Sequence, residues 1–174
     1  RKWFVTNEDF SDKKLIGYGM DFGFSNDPST LIEVRMQDGE LWVKELVYDT
    51  GLTNNDISNR MEALNVSKGS LIVADSSEPK SIEELRRMRW TVDGVKKGAD
   101  SIMFGINLLK GYKINVHSSS KNLIKELEQY KWKVDRSGKS LNVPIDNYNH
   151  AIDALRYLIM HKFSKKGYGS YKVV

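Results

Sequence analysis

The stretch Tyr18–Val34, YGMDFGFSNDPSTLIEV, places an aspartate inside an otherwise apolar segment. Residues 15–24 and 30–36 are rich in β-branched, aromatic and aliphatic side chains, which predicts two strands. Residues 25–28, Ser-Asn-Asp-Pro, carry the turn chemistry that would join them. Asp21 would then lie within a sheet, where an ionised carboxylate is costly to bury without a partner. The identity of that partner is the first question that the sequence raises.

The rest of the chain supplies the elements around Asp21. A third strand is predicted over residues 41–48 after the Asp38-Gly39 hairpin signal, which gives an antiparallel meander. The continuous apolar run Leu71–Asp75 is typical of a strand buried on both faces. Further patterns predict helices from Thr53 to about Lys68, Pro79–Met88, Asp100–Lys110, Ser119–Tyr130 and Asn147–Phe163, strands Thr91–Val95 and Tyr112–Val116, and a hairpin of Lys131–Asp135 with Ser140–Val143.

This order of elements predicts an α/β fold. Its centre is a mixed β-sheet, in which three antiparallel strands are followed by parallel strands, with helices on both faces and a small β-hairpin added. The length of 174 residues favours a single domain over residues 1–174, with an ordered core at about 13–163 and a flexible tail at 164–174. Because the chain begins at Arg1, we expect a fragment of a longer protein.

Composition excludes several classes of site. The chain contains no cysteine, so disulfides, thiolate chemistry and cysteine-zinc sites are ruled out. No apolar run approaches the roughly 20 residues that span a bilayer, and no signal peptide stands at the start, so we expect a soluble domain. Lys and Arg outnumber Asp and Glu by 27 to 23, which gives a net charge of +4. This charge is compatible with a polyanionic partner such as nucleic acid.

Three aspartates share an unusual setting. Asp21 interrupts an apolar strand, Asp75 ends the most hydrophobic strand, and Asp153 lies in the apolar helix segment AIDALRYLIM. If the first and fourth predicted strands are neighbours, Asp21 and Asp75 lie side by side and the final helix brings Asp153 across them. Such hard oxygen ligands suit Mg²⁺ or Mn²⁺ better than zinc. Two such ions about 4 Å apart would activate a water and stabilise the leaving oxygen in phosphodiester cleavage.

His150 lies three residues before Asp153, so the two side chains share one face of the predicted helix. It could bind a second metal ion, orient a water or carry a proton. A surface or hydrogen-bonded histidine is the alternative. Gly19 and Gly23 flank Asp21 and would leave room for metal and phosphate, or would mark a bend.

Each aspartate also has a structural alternative. Asp21 would simply be close to a turn, and Asp153 would be an exposed helix position. Asp75 would form an Asx turn with the serines that follow it, and for Asp75 alone this is the better interpretation. For Asp146, just before the final helix, we favour N-terminal capping or interaction with the helix dipole. The metal hypothesis rests on the three positions together.

Four motifs carry a family resemblance: YGMDFGF, the downstream NDPST, LIVADSSEP and NYNHAIDALRY. Together, in this order, they resemble the C-terminal nuclease domain of the large terminase subunit of tailed bacteriophages, over residues from about 15 to 161. The resemblance implies a ribonuclease H-like fold and cleavage of concatemeric double-stranded viral DNA with two divalent ions, Mg²⁺ or Mn²⁺. Asp21, Asp75 and Asp153 match the acidic triad of that family, and His150 matches a histidine that accompanies the third acid in some members.

The resemblance also implies partners. In a full-length protein these would be double-stranded DNA, an upstream ATPase motor domain that is absent here, the small terminase subunit and the portal, in the cytoplasm of the host cell and without a membrane. The segment Ser137–Ser140, SGKS, looks like the end of a phosphate-binding loop, but Lys133 stands where that loop requires glycine. We therefore expect no ATPase activity.

The basic residues fall into two groups. A group on the predicted hairpin is the better candidate for contacting DNA phosphates, because charged residues on an extended ribbon have little role in a core: Lys131, Lys133, Arg136 and Lys139. A second group follows Asp75, and for most of it a solvated surface is the favoured interpretation: Arg86, Arg87, Arg89, Lys96 and Lys97.

The leading hypothesis is a metal-dependent DNA endonuclease. A junction-resolving nuclease, or a nuclease for RNA–DNA hybrids with the same fold, would share the acidic cluster. A module that binds nucleic acid or the portal without catalysis is the alternative from another class.

Overall fold

A computed structural model describes residues 3–23, 25–96, 101–130, 132–134, 136–144 and 149–164, with the backbone alone for 132–134 and 140–144. The strands are β1 Trp3–Thr6, β2 Lys14–Asp21, β3 Ser29–Gln37, β4 Glu40–Asp49, β5 Leu71–Asp75, β6 Thr91–Val95, β7 Ile114–His117, β8 Trp132–Val134 and β9 Ser140–Pro144. The helices are α1 Asn54–Ala63, α2 Pro79–Arg87, α3 Ser101–Lys110, α4 Lys121–Gln129 and α5 His150–Phe163.

Seven strands form one mixed sheet in the order β1-β7-β4-β3-β2-β5-β6. Strands β2, β3 and β4 pair in antiparallel fashion, and the other pairs in this sheet are parallel. The prediction of a meander followed by parallel strands is confirmed, and so is the expected contact between the strands that carry Asp21 and Asp75. Strand β1 was not predicted, because it has only four residues and exposes Phe4 and Val5.

The helices cover both faces of the sheet, as predicted. Apolar side chains of α1 and α2 pack against one face, where Met61 and Leu85 are fully buried. Helices α3, α4 and α5 cover the other face, with Leu123 and most of α5 in that second core. Helix α5 lies directly over β2, so the residues of its first two turns stand above the carboxyl ends of β2 and β5.

Gly19 allows this close approach. A Cβ atom at residue 19 would overlap the carbonyl oxygen of Ala154 in α5, so the backbones of strand and helix are in contact there. At residue 23 a Cβ atom would overlap the backbone of Asp27 and Pro28. The expectation that these two glycines leave room for a metal and a phosphate is therefore wrong. Helix and loop backbone occupy both spaces.

Local chemistry explains several boundaries. Thr53 and Asp56 form a reciprocal capping box at the start of α1, which ends at Ala63, earlier than the predicted Lys68. Strands β8 and β9 pair in antiparallel fashion, and Gly138 between them has a φ of 85°, so SGKS lies in a hairpin turn. Over the described residues, the structure contains no helix with the length and apolar character needed to cross a membrane.

Candidate active site

The site begins with a row of neighbouring residues that runs across the sheet. Asp21 is paired with Thr30 of β3, and Thr30 is paired with Tyr48 of β4. On the other side, the parallel register of β2 and β5 pairs Gly19 with Val73, two residues before Asp21 and Asp75. Side chains of directly paired residues point to the same face of a sheet. Since Gly19 faces α5, the row lies under the start of that helix.

Asp75 is nearly buried and is held by the turn that follows it. Only 7% of the residue is exposed. Its Oδ1 accepts a hydrogen bond from the backbone N–H of Ser77 at 3.0 Å, and its Oδ2 accepts one from the Ser77 hydroxyl at 2.7 Å. The Asx turn considered from the sequence is present. It fixes the carboxylate at the end of β5 beside the end of β2.

Asp21 contacts the first residue of α5. Its Oδ2 lies 3.3 Å from Nδ1 of His150, whose Nε2 lies 3.5 Å from a carboxylate oxygen of Asp27. The hydrogen bond to Asp21 raises the pKa of His150, burial opposes this rise, and the negative charges of Asp21, Asp27 and Glu126 add to it. The imidazole is thus stabilised in its protonated form between two carboxylates.

Asp153 is paired with a buried cation that the sequence analysis did not select. Nη2 of Arg156 donates to Oδ1 of Asp153 at 3.0 Å, and Arg156 is completely buried. Its side chain fills a space beside α3 that exists only because residue 105 is glycine, since a Cβ there would overlap the Arg156 side chain. An arginine within the apolar segment AIDALRYLIM was the signal that could have indicated this partner.

The negative charges of all three aspartates reach one buried phenol. Burial raises the pKa of the Tyr157 hydroxyl, and Asp153, Asp21 and Asp75 each raise it further, while Arg156 lowers it. The parallel register of β2 and β5, together with the Asp21–His150 contact, places the three predicted triad members around the start of α5.

The carboxylates do not converge on one point. Within the described ranges, no three His, Asp or Glu side chains are grouped closely enough to hold a single metal ion. Each carboxylate has a partner of its own, because Ser77 holds Asp75, His150 contacts Asp21 and Arg156 holds Asp153. The donor set of carboxylates with one imidazole still fits a hard divalent cation. Convergence would require Asp153 to rotate away from Arg156.

The candidate DNA contacts are described only in part. Arg136 and Lys139 are exposed in the β8–β9 turn. Lys131 lies outside the described residues, as does Asp146, and only the backbone of Lys133 is described. In the second basic group, Arg87 lies 3.3 Å from Glu83 in an exposed ion pair, and Lys97 is outside the described residues.

This sheet topology, with acidic residues at the ends of two adjacent parallel strands and a helix across them, defines a ribonuclease H-like α/β fold. The family model described as "Terminase RNAseH like domain" matches residues 21–161. The chain belongs to this family of terminase ribonuclease H-like domains. Among curated proteins, no significant sequence match is found.

Solved structures of large-terminase nuclease domains share the fold. The domain of bacteriophage SPP1, with bound Mn, is 23% identical with a TM-score of 0.80, over 92% of this chain and 97% of that one. For the P22 domain the identity is 14% and the TM-score 0.68, over 92% and 88% of the two chains. The domain of thermophilic phage G20c, with bound magnesium, is 20% identical with a TM-score of 0.60, over 86% and 82%. Longer large-terminase chains from another thermophilic bacteriophage are covered over only 41% of their length.

Proposed function

We propose that this chain is a metal-dependent endonuclease that hydrolyses phosphodiester bonds of concatemeric double-stranded DNA during viral genome packaging. One arrangement carries the proposal: Asp21 and Asp75 end two adjacent parallel strands, and α5 begins over them, with His150 against Asp21 and Asp153 three residues further on. Carboxylates at the ends of two neighbouring strands, with a third on the helix across them, are the hard oxygen ligands that a divalent cation prefers. The SPP1 and G20c domains, described with Mn and magnesium respectively, support a divalent ion as that cation.

Asp21, Asp75, Asp153 and His150 would hold two divalent ions, Mg²⁺ or Mn²⁺. When bound in such a site, divalent ions supply the Lewis acidity that activates water and stabilises charge on a departing phosphate oxygen. Asp75 is preorganised for ligation, because the Ser77 bonds fix its orientation at the end of β5. Asp21 is held at the same level by the parallel register of β2 and β5.

His150 holds a proton beside the reacting phosphate. Its raised pKa favours the charged imidazole between Asp21 and Asp27. An imidazole placed here can give a proton to a leaving oxygen or take one from an attacking water. As the ligand of a second ion it would first have to lose that proton, so metal binding and His150 ionisation compete.

The domain is proposed to act as one unit of a larger machine. Residues 1–174 would form a single nuclease domain that works with an upstream ATPase motor, the small terminase subunit and the portal in the host cytoplasm. Basic residues of the hairpin would follow the DNA backbone, since Arg136 and Lys139 are exposed there. Contacts of this kind give binding that weakens as salt rises.

The test measures conversion of supercoiled plasmid to nicked and linear forms in EDTA, Mg²⁺ or Mn²⁺. Wild type is compared with the variants Asp75→Asn and Asp93→Asn. Asp93 is the control carboxylate, because it lies in the middle of β6, away from the strand ends, and contacts His161. We expect metal-dependent cleavage that Asp75→Asn abolishes and Asp93→Asn retains, with both variants folded by circular dichroism. Equal cleavage by wild type and Asp75→Asn would refute the proposal. Faster cleavage of a four-way junction or an RNA–DNA hybrid than of linear duplex DNA would indicate one of the other nuclease functions instead of packaging.

A further inference from the structure

Glu126 is a buried carboxylate on α4 that takes no part in the proposed ligand set. Only 2% of the residue is exposed. It accepts three hydrogen bonds: from the Tyr48 hydroxyl at 2.7 Å, from the backbone N–H of Ala151 at 3.1 Å and from that of Ile152 at 3.0 Å. Burial of a carboxylate costs free energy unless the group is hydrogen-bonded, and here three donors converge on it.

The two donors from α5 are backbone N–H groups of its first turn, which have no hydrogen-bond partner within the helix. The first four N–H groups of a helix have no partner within it, and a side chain at the N-cap normally satisfies one of them. Here the N-cap residue, Asn149, makes no side-chain cap hydrogen bond. Glu126 bonds two of these N–H groups from another helix, and its negative charge also lies at the positive end of the helix dipole.

A second contact ties the same turn to the sheet. The Thr30 hydroxyl donates to the backbone carbonyl of His150 at 3.2 Å. Thr30 is the direct neighbour of both Asp21 and Tyr48 in the row across the sheet. The start of α5 is therefore held from below by Thr30 and from the side by Glu126, which Tyr48 connects back to the same row.

We propose that Glu126 is a positioning residue for the metal centre: by capping the first turn of α5 from α4, it sets where His150 and Asp153 stand relative to Asp21 and Asp75. This inference rests on the proposed function, because it concerns the same ligands. His150 directly precedes the two capped N–H groups, and Asp153 directly follows them. A loss of the cap would release this turn without removing any ligand.

The variant Glu126→Gln keeps the size of the side chain but places an amide NH₂ against one backbone N–H. We expect Mn²⁺ affinity to fall about 10-fold, the lower end of what loss of a partner outside the ligand shell costs. Glu128→Gln is the matched control, because it makes the same substitution at an exposed position of α4. Its Mn²⁺ affinity should remain close to that of wild type.

The experiment measures free Mn²⁺ by electron paramagnetic resonance during titration of wild type, Glu126→Gln and Glu128→Gln. Amide hydrogen exchange by NMR reports on the cap without metal: Ala151 and Ile152 should exchange slowly in wild type and faster in Glu126→Gln. Unchanged Mn²⁺ affinity in folded Glu126→Gln would overturn this inference alone. If wild type binds no Mn²⁺, the proposed function fails as well. If Glu126→Gln does not fold, hydrogen exchange in wild type provides the test. Rapid exchange of the Ala151 and Ile152 amides would contradict the capping role of Glu126, and slow exchange would support it.

Discussion

Helix α5 makes a His–Asp contact with the sheet at each of its ends, and the two contacts differ in their surroundings. At the start, His150 Nδ1 lies 3.3 Å from Asp21 of β2; near the end, His161 Nε2 lies 3.1 Å from Asp93 of β6. Asp21 is the last residue of its strand, next to the strand that ends in Asp75. Asp93 is in the middle of an edge strand, 4.0 Å from Arg86.

The difference shows that a His–Asp contact does not by itself mark a site. In open α/β sheets, ligands bind at the carboxyl ends of adjacent strands, where side chains from several elements meet. The start of α5 has this property, because Asp75, Asp153 and the cap from Glu126 meet there. The end of α5 has one carboxylate with a cation beside it, and Phe163 stacks near Tyr112 at 5.4 Å. Three comparisons between such regions test this distinction.

The largest effect should come from the two histidines. His150→Ala should lower metal-dependent plasmid cleavage about 10²- to 10³-fold, because positioned acid–base groups contribute on that scale. His161→Ala should leave the cleavage rate close to that of wild type. Single-turnover rates at saturating Mn²⁺ measure both variants. Equal losses in the two would mean that α5 serves only as a structural support.

The next effect concerns the backbone contact that places α5 over the site. Gly19→Ala should cost about 3 kcal/mol of unfolding free energy, since a Cβ would overlap the backbone of Ala154 and no side-chain rotation relieves it. Gly69→Ala is the control, because a Cβ there meets no atom within 4 Å. It should change stability by less than about 0.5 kcal/mol. Urea denaturation of both variants gives the two values, and a small cost at residue 19 would contradict the close packing of β2 and α5.

The smallest effect is a pH dependence of stability from His150. Its pKa is raised in the folded state above the ordinary value of 6.5, so its contribution is fully present below that value and is lost as pH rises through the folded pKa. Wild type should therefore lose stability relative to His150→Asn as pH rises from 6.5 through the folded-state pKa. Urea denaturation of both proteins across this range provides the test. A constant difference between them would mean that Asp21 and Asp27 do not stabilise the imidazolium.

Much of this architecture follows from local sequence patterns, and the reasons are physical. The apolar segment around Asp21 and the continuous run before Asp75 are strong strand signals, and a mixed sheet allows these two strands to be neighbours. Strand β1 was missed because four residues with two exposed apolar side chains give no clear period. Metal ligation by Asp21, Asp75, Asp153 and His150 remains a proposal, supported by their placement.

The contacts that organise the site were not readable from sequence. Glu126 lies in a helix rich in polar residues, and nothing local distinguishes this buried glutamate from Glu128, which is exposed on the same helix. Its partners, Tyr48 and the first turn of α5, are 78 and 25 residues away along the chain. Arg156 was visible as a charge in an apolar helix, but the space for it comes from Gly105 on α3. Such pairings depend on how the helices pack together.

The central claim is that Asp21, Asp75 and Asp153 share a divalent cation. Anomalous diffraction from crystals of the protein soaked in Mn²⁺ tests it most directly, because the ion and its ligands are then observed together. We expect Mn²⁺ density bonded to the carboxylates of Asp21 and Asp75, with Asp153 rotated from Arg156 toward the ion. Mn²⁺ that contacts none of these three carboxylates, in protein that cleaves DNA with Mn²⁺, would contradict it.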